Sequence, residues 1–358
     1  MQKQAKLLPA WLINILGLAI ILSGLTVSGF AFMTAQIVMS QPLNPAETVA
    51  EFMGGRDSDG DGGLFDPVVT REFEEIIPTV EPIETQDLPA VDGEGRINVL
   101  VMGIDRRPGE PFISRTDSMM LLSLDVEENK ASILSIPRDL YVAIPGRGRD
   151  RINTAFVYGS SGNNPAGGAT LAMETVAYNL GVHVHHYVLV DFGAVINGVD
   201  ILGGIDVTVP FNISDPTYPD MNYGYEPLYI AAGQQHFDGE LALKYARTRH
   251  QDNDFGRAQR QQQVVMAVRA ALLDLGAGEL LVRSPNLYQQ VRDGIRTDLS
   301  LEQLVSLGLA GLEVEQGDVQ AGVLDYQYVS SYTTEGGASV LILDNGRAAE
   351  LIQQLFYD

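Results

Sequence analysis

Between Asp238 and Gln263 the chain reads DGELALKYARTRHQDNDFGRAQRQQQ, where Arg247, Arg249, Arg257 and Arg260 crowd together with Asp252 and Asp254. Cations at that density, in a protein of formal net charge -23, need an anionic partner, either its own carboxylates or a bound ligand. Helical spacing favours the ligand. Val264, Val265, Val268, Ala271, Leu272 and Leu275 fall on one stripe, which predicts an amphipathic helix over Ala258–Leu275. Stepping back along that stripe reaches Gln261 and Arg257, and Asp254 is the expected N-cap, so Arg257 sits in the first turn. A cation is disfavoured at that end of the helix dipole and an anion is favoured. An inward arginine at a helix N-terminus therefore points to a phosphate-like group held by both. Arg247 and Arg249 share a face and aim the same way if the chain between the two helices is extended. The alternative is a solvated charge run with local ion pairs.

A second constellation lies earlier. The apolar run Ile97–Met102 ends in Gly103-Ile104-Asp105, Arg115-Thr116-Asp117 precedes a strand over Ser118–Val126, and a third strand, Ala131–Ile136, ends in Pro137-Arg138-Asp139. If the three form a meander, Asp105, Asp117 and Arg138 meet at one sheet edge, where α/β folds commonly bind ligands. Two carboxylates beside arginines suit a hard divalent cation that shares phosphate oxygens, Mg²⁺ (or Mn²⁺); two surface Asp–Arg pairs are the alternative. His183, His185 and His186 lack an identifiable third ligand and read as structural. Asp57, Asp59, Asp61 and Gly62 copy the opening of a calcium loop whose closing acid would fall at Val68, so that stretch reads as an acidic tract. There is no G-x-S-x-G elbow, phosphate-binding P-loop or dinucleotide fingerprint. The acidity argues against a nucleic-acid partner, and the absence of cysteine excludes disulfides and thiolate chemistry.

The elements that position these residues follow an expected membrane anchor. Lys3 and Lys6 precede Leu7–Met39, which holds no charged residue and exceeds the ~20 apolar residues that span a bilayer. Residues 1–40 therefore read as a cytoplasmic N-terminus with a single-pass transmembrane helix, which places the rest outside the cell membrane. Residues 41–95 are an acidic extracellular linker. The folded core runs over 96–276, and 277–358 supplies C-terminal helices and strands of the same domain. Within the core the sequence predicts helices over Thr170–Leu180 and Phe192–Leu202, and strands over Tyr187–Val190 and Ile205–Val209. Phe211–Gln235 reads as a long loop whose Tyr218, Tyr223, Tyr225 and Tyr229 pack over the core, with stacking on sugar rings as the alternative. Further on come a helix over Leu299–Leu312, strands over Val319–Leu324 and Ser339–Leu343, and a closing helix over Arg347–Phe356. The fold class is α/β with a mixed sheet.

The runs NVLVMGIDRR, RTDSMMLLSLD, SIPRDLYVAIPG, RINTAF, VDILGGIDVTVPF and HFDGELALKYARTRHQDNDFGRAQRQ, in this order, resemble the successive motifs of the LytR-CpsA-Psr family from about Ile97 to Leu275. Thr116 stands where that family commonly has Ser, and Arg151 where it has Lys. The resemblance implies an α/β/α sandwich with a central mixed sheet and an apolar lipid pocket. It implies a phosphotransferase of cell-wall biogenesis that moves a glycan phosphate from a polyprenyl-pyrophosphate carrier to peptidoglycan or another wall acceptor. Asp105 and Asp117 match the family's metal-binding aspartates. Arg115, Arg138, Arg247, Arg249, Arg257 and Gln261 match its pyrophosphate-binding positions, and Asp254 a further acidic position; the sequence assigns no general base, for which Asp254 is only a candidate. Arg115, Arg138, Arg249 and Asp254 are the expected catalytic set. A non-catalytic surface receptor for anionic wall polymer or lipid, or a polyprenyl-pyrophosphate phosphatase, are the competing readings.

Overall fold

The computed structural model describes residues 95–106, 110–220, 224–249 and 253–357. The expected anchor, most of the linker and Asp252 lie outside them, as does Tyr223. Among the described residues no helix is long and apolar enough to cross a membrane.

A mixed six-stranded sheet carries the site. Its strands are β1 (Arg96–Ile104), β2 (Thr116–Asp125), β3 (Lys130–Ser135), β4 (His186–Asp191), β5 (Ile295–Thr297) and β6 (Val319–Val323), in the order β5-β4-β1-β2-β3-β6. The expected meander is present, because β1 pairs antiparallel with β2, and β2 with β3. β4 runs parallel to β1, β6 parallel to β3 and β5 antiparallel to β4, so both edges of the sheet are supplied by chain from beyond residue 276.

The two faces of this sheet differ. Leu100, Met102, Ile104, Leu121, Leu134 and Leu189 pack on one face against α1 (Pro165–Leu180) and against the closing helix (Asn345–Phe356). On the other face Val101, Gly103, Met120 and Val190 look into a cavity roofed by α2 (Phe192–Leu202), α3 (Gly239–Arg247) and α4 (Asp254–Val291). A smaller apolar cluster holds that roof together. It joins Val199 of α2, the strand residues Ile205, Val207 and Val209, Ala242 and Tyr245 of α3, and Val264 and Ala267 of α4.

Local chemistry sets the helix ends, and several expectations are corrected here. α2 starts where Asp191 accepts from the Ala194 amide and stops at Gly203, whose φ of 89° is left-handed. α4 is capped by Asn253, not Asp254: the Asn253 side chain accepts from the Phe255 and Gly256 amides, and Asp254 is the first helical residue. The helix stripe ends as expected at Leu275, because Gly276 is non-helical at φ 73°, and a second limb continues to Val291. α1 begins earlier than its apolar pattern suggests, since Asn164 caps it and Pro165 occupies the first turn. The expected loop Phe211–Gln235 contains a hairpin of Ile213–Asp215 with Leu228–Ile230, and Gly233–Phe237 pairs with Ile205–Val209. Of its tyrosines, Tyr218 is buried as core, while Tyr225 and Tyr229 are exposed. Pro137–Asp139 leads into a further hairpin, Tyr141–Ile144 with Gly148–Arg151.

Candidate functional site

Two pieces of chain meet at the C-terminal end of β1. The sheet supplies Asp105 after β1, Asp117 in β2 and Arg138 after β3, adjacent because Ile104 pairs with Thr116 and the Ile136 amide bonds the Met119 carbonyl. The roof supplies Arg247, at the end of α3, Arg249 after it, and Asp254, Arg257 and Gln261 from the first two turns of α4. Of the charged residues expected to converge, Asp105, Asp117, Arg138, Arg247, Arg249, Asp254 and Arg257 do so, while Arg115 is exposed at the rim and Arg260 turns away.

The charges form one lattice. Asp254 is the shared counter-ion of three guanidiniums, with Arg257 Nη1 at 3.2 Å, Arg138 Nε at 3.5 Å and Arg249 Nε at 3.5 Å. Arg138 Nη1 also meets Asp117 Oδ1 at 2.5 Å, and Arg247 Nη2 lies 3.5 Å from Asp105 Oδ2. Arg247 stacks 4.1 Å from the Phe192 ring and donates to the Tyr218 hydroxyl at 3.2 Å, which fixes its fork. Gln261 donates to the Ala246 carbonyl at 3.3 Å.

Arg257 is the outlier. It is 5% exposed; its Nη2 donates to the Asp117 carbonyl at 3.0 Å, but its Nε and Nη1 have no hydrogen-bond partner, and the Asp254 contact is Coulombic only. Burial first, and then the neighbouring Arg249, push its pKa down to about 10, against the opposing pull of Asp254. Arg249 is also lowered, by burial and by Arg138. Burial pulls on Arg138 as well, but Asp117, Asp254 and Asp139 together carry it above its ordinary value. Positive charge is thus in excess on the roof side, which is the electrostatic condition for holding an anion.

Two cavities meet here and share only Asp105 and Asp117 among their lining residues. One, of about 930 Å³, is largely apolar; Val101, Met120, Val190, Val265, Val268 and Leu272 line it, and Arg247, Arg249 and Arg257 lie at its polar end. The other, of about 430 Å³, is polar and includes Arg115, Arg138, Asp139, Arg151 and Asn153. The resemblance anticipates an apolar pocket, and the open second face of the sheet provides one.

Asp105 and Asp117 suit a divalent cation in donor type. Both are carboxylates, with side chains 40% and 36% exposed, and both border the two cavities. Among the described residues no three carboxylate or imidazole groups gather on one point, so a cation there would complete its shell with water and ligand oxygens, as Mg²⁺ does.

Other residues play structural parts. Arg260, counted in the basic cluster by sequence, turns away from the site. It is buried and donates to the carbonyls of Tyr245 and Thr248, closing the C-terminus of α3. His185 accepts the Asn98 amide on Nδ1 at 2.9 Å, and His186 pairs with Asp298 at 3.0 Å, so the histidines tie β1 and β4 to their surroundings. Asp215 escaped the sequence reading. It is buried and accepts from the Thr248 hydroxyl at 2.7 Å, pinning the residue between Arg247 and Arg249. The signal was faint, an acid in a segment rich in Pro and Tyr.

The LytR_cpsA_psr family model matches residues 73–356, well beyond the quoted motifs. A Polyisoprenyl-teichoic acid--peptidoglycan teichoic acid transferase TagU of Oceanobacillus iheyensis is 32% identical over 213 residues, 59% of this chain and 61% of that protein. Regulatory protein MsrR of Staphylococcus aureus is 31% identical over 221 residues, 62% of each chain. The matched segments thus span about three fifths of these relatives. A solved structure of TagT bound to LI-WTA is 28% identical, covers 78% of this chain and 96% of that one, and superposes with a TM-score of 0.57.

Proposed function

Because the chain belongs to the LytR_cpsA_psr family, we propose that it is a glycopolymer phosphotransferase that moves a glycan phosphate from a polyprenyl-pyrophosphate carrier to a wall acceptor such as peptidoglycan. The observation that carries this reading is the junction of the apolar cavity with the arginine lattice at Asp105 and Asp117. A long apolar chain ending in a polyanionic head matches both halves of that site at once. The TagU relative, named as a teichoic acid transferase acting on peptidoglycan, and the TagT complex support the same class of donor and acceptor.

In this reading Arg247, Arg249 and Arg257 take the pyrophosphate, and Arg115 and Arg138 approach it from the polar pocket. Asp254 holds the guanidiniums apart and ordered until phosphate oxygens replace it as their partner. An acceptor hydroxyl attacks the sugar-side phosphorus, the bond from that phosphorus to the bridging oxygen breaks, and polyprenyl phosphate departs with the bonding electrons. The hydroxyl proton passes to a nearby carboxylate or to solvent. Positioning and charge neutralisation supply most of the catalysis in such transfers. Mg²⁺ or Mn²⁺ held by Asp105 and Asp117 would add neutralising charge at the phosphates. An anchor over Leu7–Met39 would keep the site outside the cell membrane and beside its lipid substrate, raising the effective concentration.

The deciding experiment is incubation with a lipid-linked pyrophosphoryl oligosaccharide and peptidoglycan fragments, with products measured by mass. A glycan joined to the fragment through one phosphate is the expected product. Free glycan phosphate would mean water is the acceptor, and unchanged donor would leave a binding protein.

A further inference from the structure

Asn153 stands in the wall of the polar pocket, in the short 3-10 turn Ile152–Thr154. Backbone bonds hold this turn firmly. The Ile152 amide donates to the Leu140 carbonyl at 2.7 Å, the Asn153 amide to the Arg138 carbonyl at 3.4 Å, and the Thr154 hydroxyl to the Arg151 carbonyl at 2.7 Å. The side chain is another matter. Asn153 is 3% exposed, and its buried Oδ1 has no hydrogen-bond partner. A buried carboxamide oxygen left unpaired destabilises a fold, so one at a pocket wall indicates a missing partner.

The chemistry of that partner can be read from the contrast with its neighbours. Phosphate oxygens accept only, and Arg115, Arg138 and Arg151 already offer donors in this pocket. A cation would be drawn to Asp139 or Glu110 instead. A neutral amide that both donates and accepts matches a group that does the same at one atom, namely a hydroxyl. The pocket meets the apolar cavity at Asp105 and Asp117, so a hydroxyl-rich group there lies next to the phosphates while the lipid fills the other side. We propose that Asn153 marks a sugar subsite, in which its amide hydrogen-bonds a hydroxyl of the sugar adjoining the reacting phosphate. This rests on the transferase reading above and deepens it. The sugar is either the first residue of the donor glycan or the acceptor residue whose hydroxyl attacks.

The test uses the full chain and the variants Asn153→Leu, of similar size, and Asn153→Ala, which cannot clash. Three ligands are titrated without turnover: bare polyprenyl pyrophosphate, the same lipid carrying one N-acetylhexosamine, and a peptidoglycan disaccharide. Unfolding midpoints are expected to stay level or rise, because an unpaired group is removed. If the donor sugar occupies the subsite, affinity for the sugar-bearing lipid falls about tenfold while that for the bare lipid holds. If the acceptor sugar does, both lipids bind as before and disaccharide affinity falls about tenfold. Equal weakening of all three ligands, or no change in any of them, as a trapped water or plain packing would give, overturns the proposal. These titrations do not depend on product formation. The transferase reading fails separately, if wild-type protein yields no phosphate-linked product.

Discussion

Replacing Arg257 by Gln separates a ligand-binding arginine from a scaffold arginine. In the free protein its pKa falls well below the ordinary arginine value, to about 10, and a shift of that size corresponds to about 3 kcal/mol of disfavoured charge. Partial compensation comes from the bond to the Asp117 carbonyl and from packing of the aliphatic stem, together about 1–3 kcal/mol. Asp254 keeps Arg138 and Arg249 as partners, so the substitution leaves no isolated carboxylate. The net change in stability is therefore between nothing and a gain of about 2 kcal/mol, or up to ~8 °C in unfolding midpoint. The pH dependence has a definite sign. A cation whose folded pKa lies below its unfolded one holds stability down at neutral pH. That penalty is relieved as pH rises from about 10 toward the ordinary arginine range, so the advantage of Arg257→Gln shrinks there. Affinity for polyprenyl pyrophosphate moves the other way and weakens by ~2–4 kcal/mol, the scale of a lost charge-assisted contact in a desolvated site. Thermal unfolding with and without the lipid reads both effects in one variant. A loss beyond ~3 kcal/mol in the free protein, with the lipid-induced shift intact, would refute the reasoning and assign Arg257 to the scaffold.

Asp105→Ala and Asp117→Ala should each abolish transfer with the fold intact by circular dichroism. Full activity in either variant, or in excess chelator, rules out a catalytic cation. Because Asp117 also engages Arg138, pyrophosphate binding without metal should survive in Asp117→Ala. Thr248→Val, which takes away the hydroxyl that Asp215 accepts, should destabilise by ~1–3 kcal/mol and weaken pyrophosphate binding, with recovery in Thr248→Ser; unchanged binding would mean that Asp215 does not aim the arginines. Val265→Trp should narrow the apolar cavity, so that long-chain polyprenyl pyrophosphate binds less well while a short-chain analogue holds its affinity. Equal loss for both lengths counts against a tail in that cavity. Protease added to intact wall-stripped cells should remove the globular domain, and its full protection would contradict an external location.

How much of this the sequence discloses depends on how local each cause is. The meander is legible because each strand is an apolar run whose neighbour is the next one along the chain, so Asp105, Asp117 and Arg138 meet by connectivity alone. α2 is legible to the residue because Asp191 starts it and Gly203 ends it within eleven residues. β5 is not: three residues, Ile295–Thr297, pair with a strand about a hundred positions earlier and carry no pattern of their own. Asp215 is fixed by a hydroxyl 33 residues away, and without that partner its segment reads as solvated loop. Arg257 and Arg260 lie three apart in one helix; the apolar stripe assigns Arg257 to the inward face, but nothing local discloses that Arg260 turns to two backbone carbonyls. The cavity is the least local feature. Val101, Met120 and Val190 would alternate identically along their strands if a helix packed flush upon them. Only the assembled fold leaves that face open, at the end where one aspartate is divided among three arginines. Apolar surface without a packing partner and positive charge without enough counter-charge each cost stability in the free protein. A ligand with an apolar tail and an anionic head relieves both costs together, which ties the two halves of this site to a single molecule.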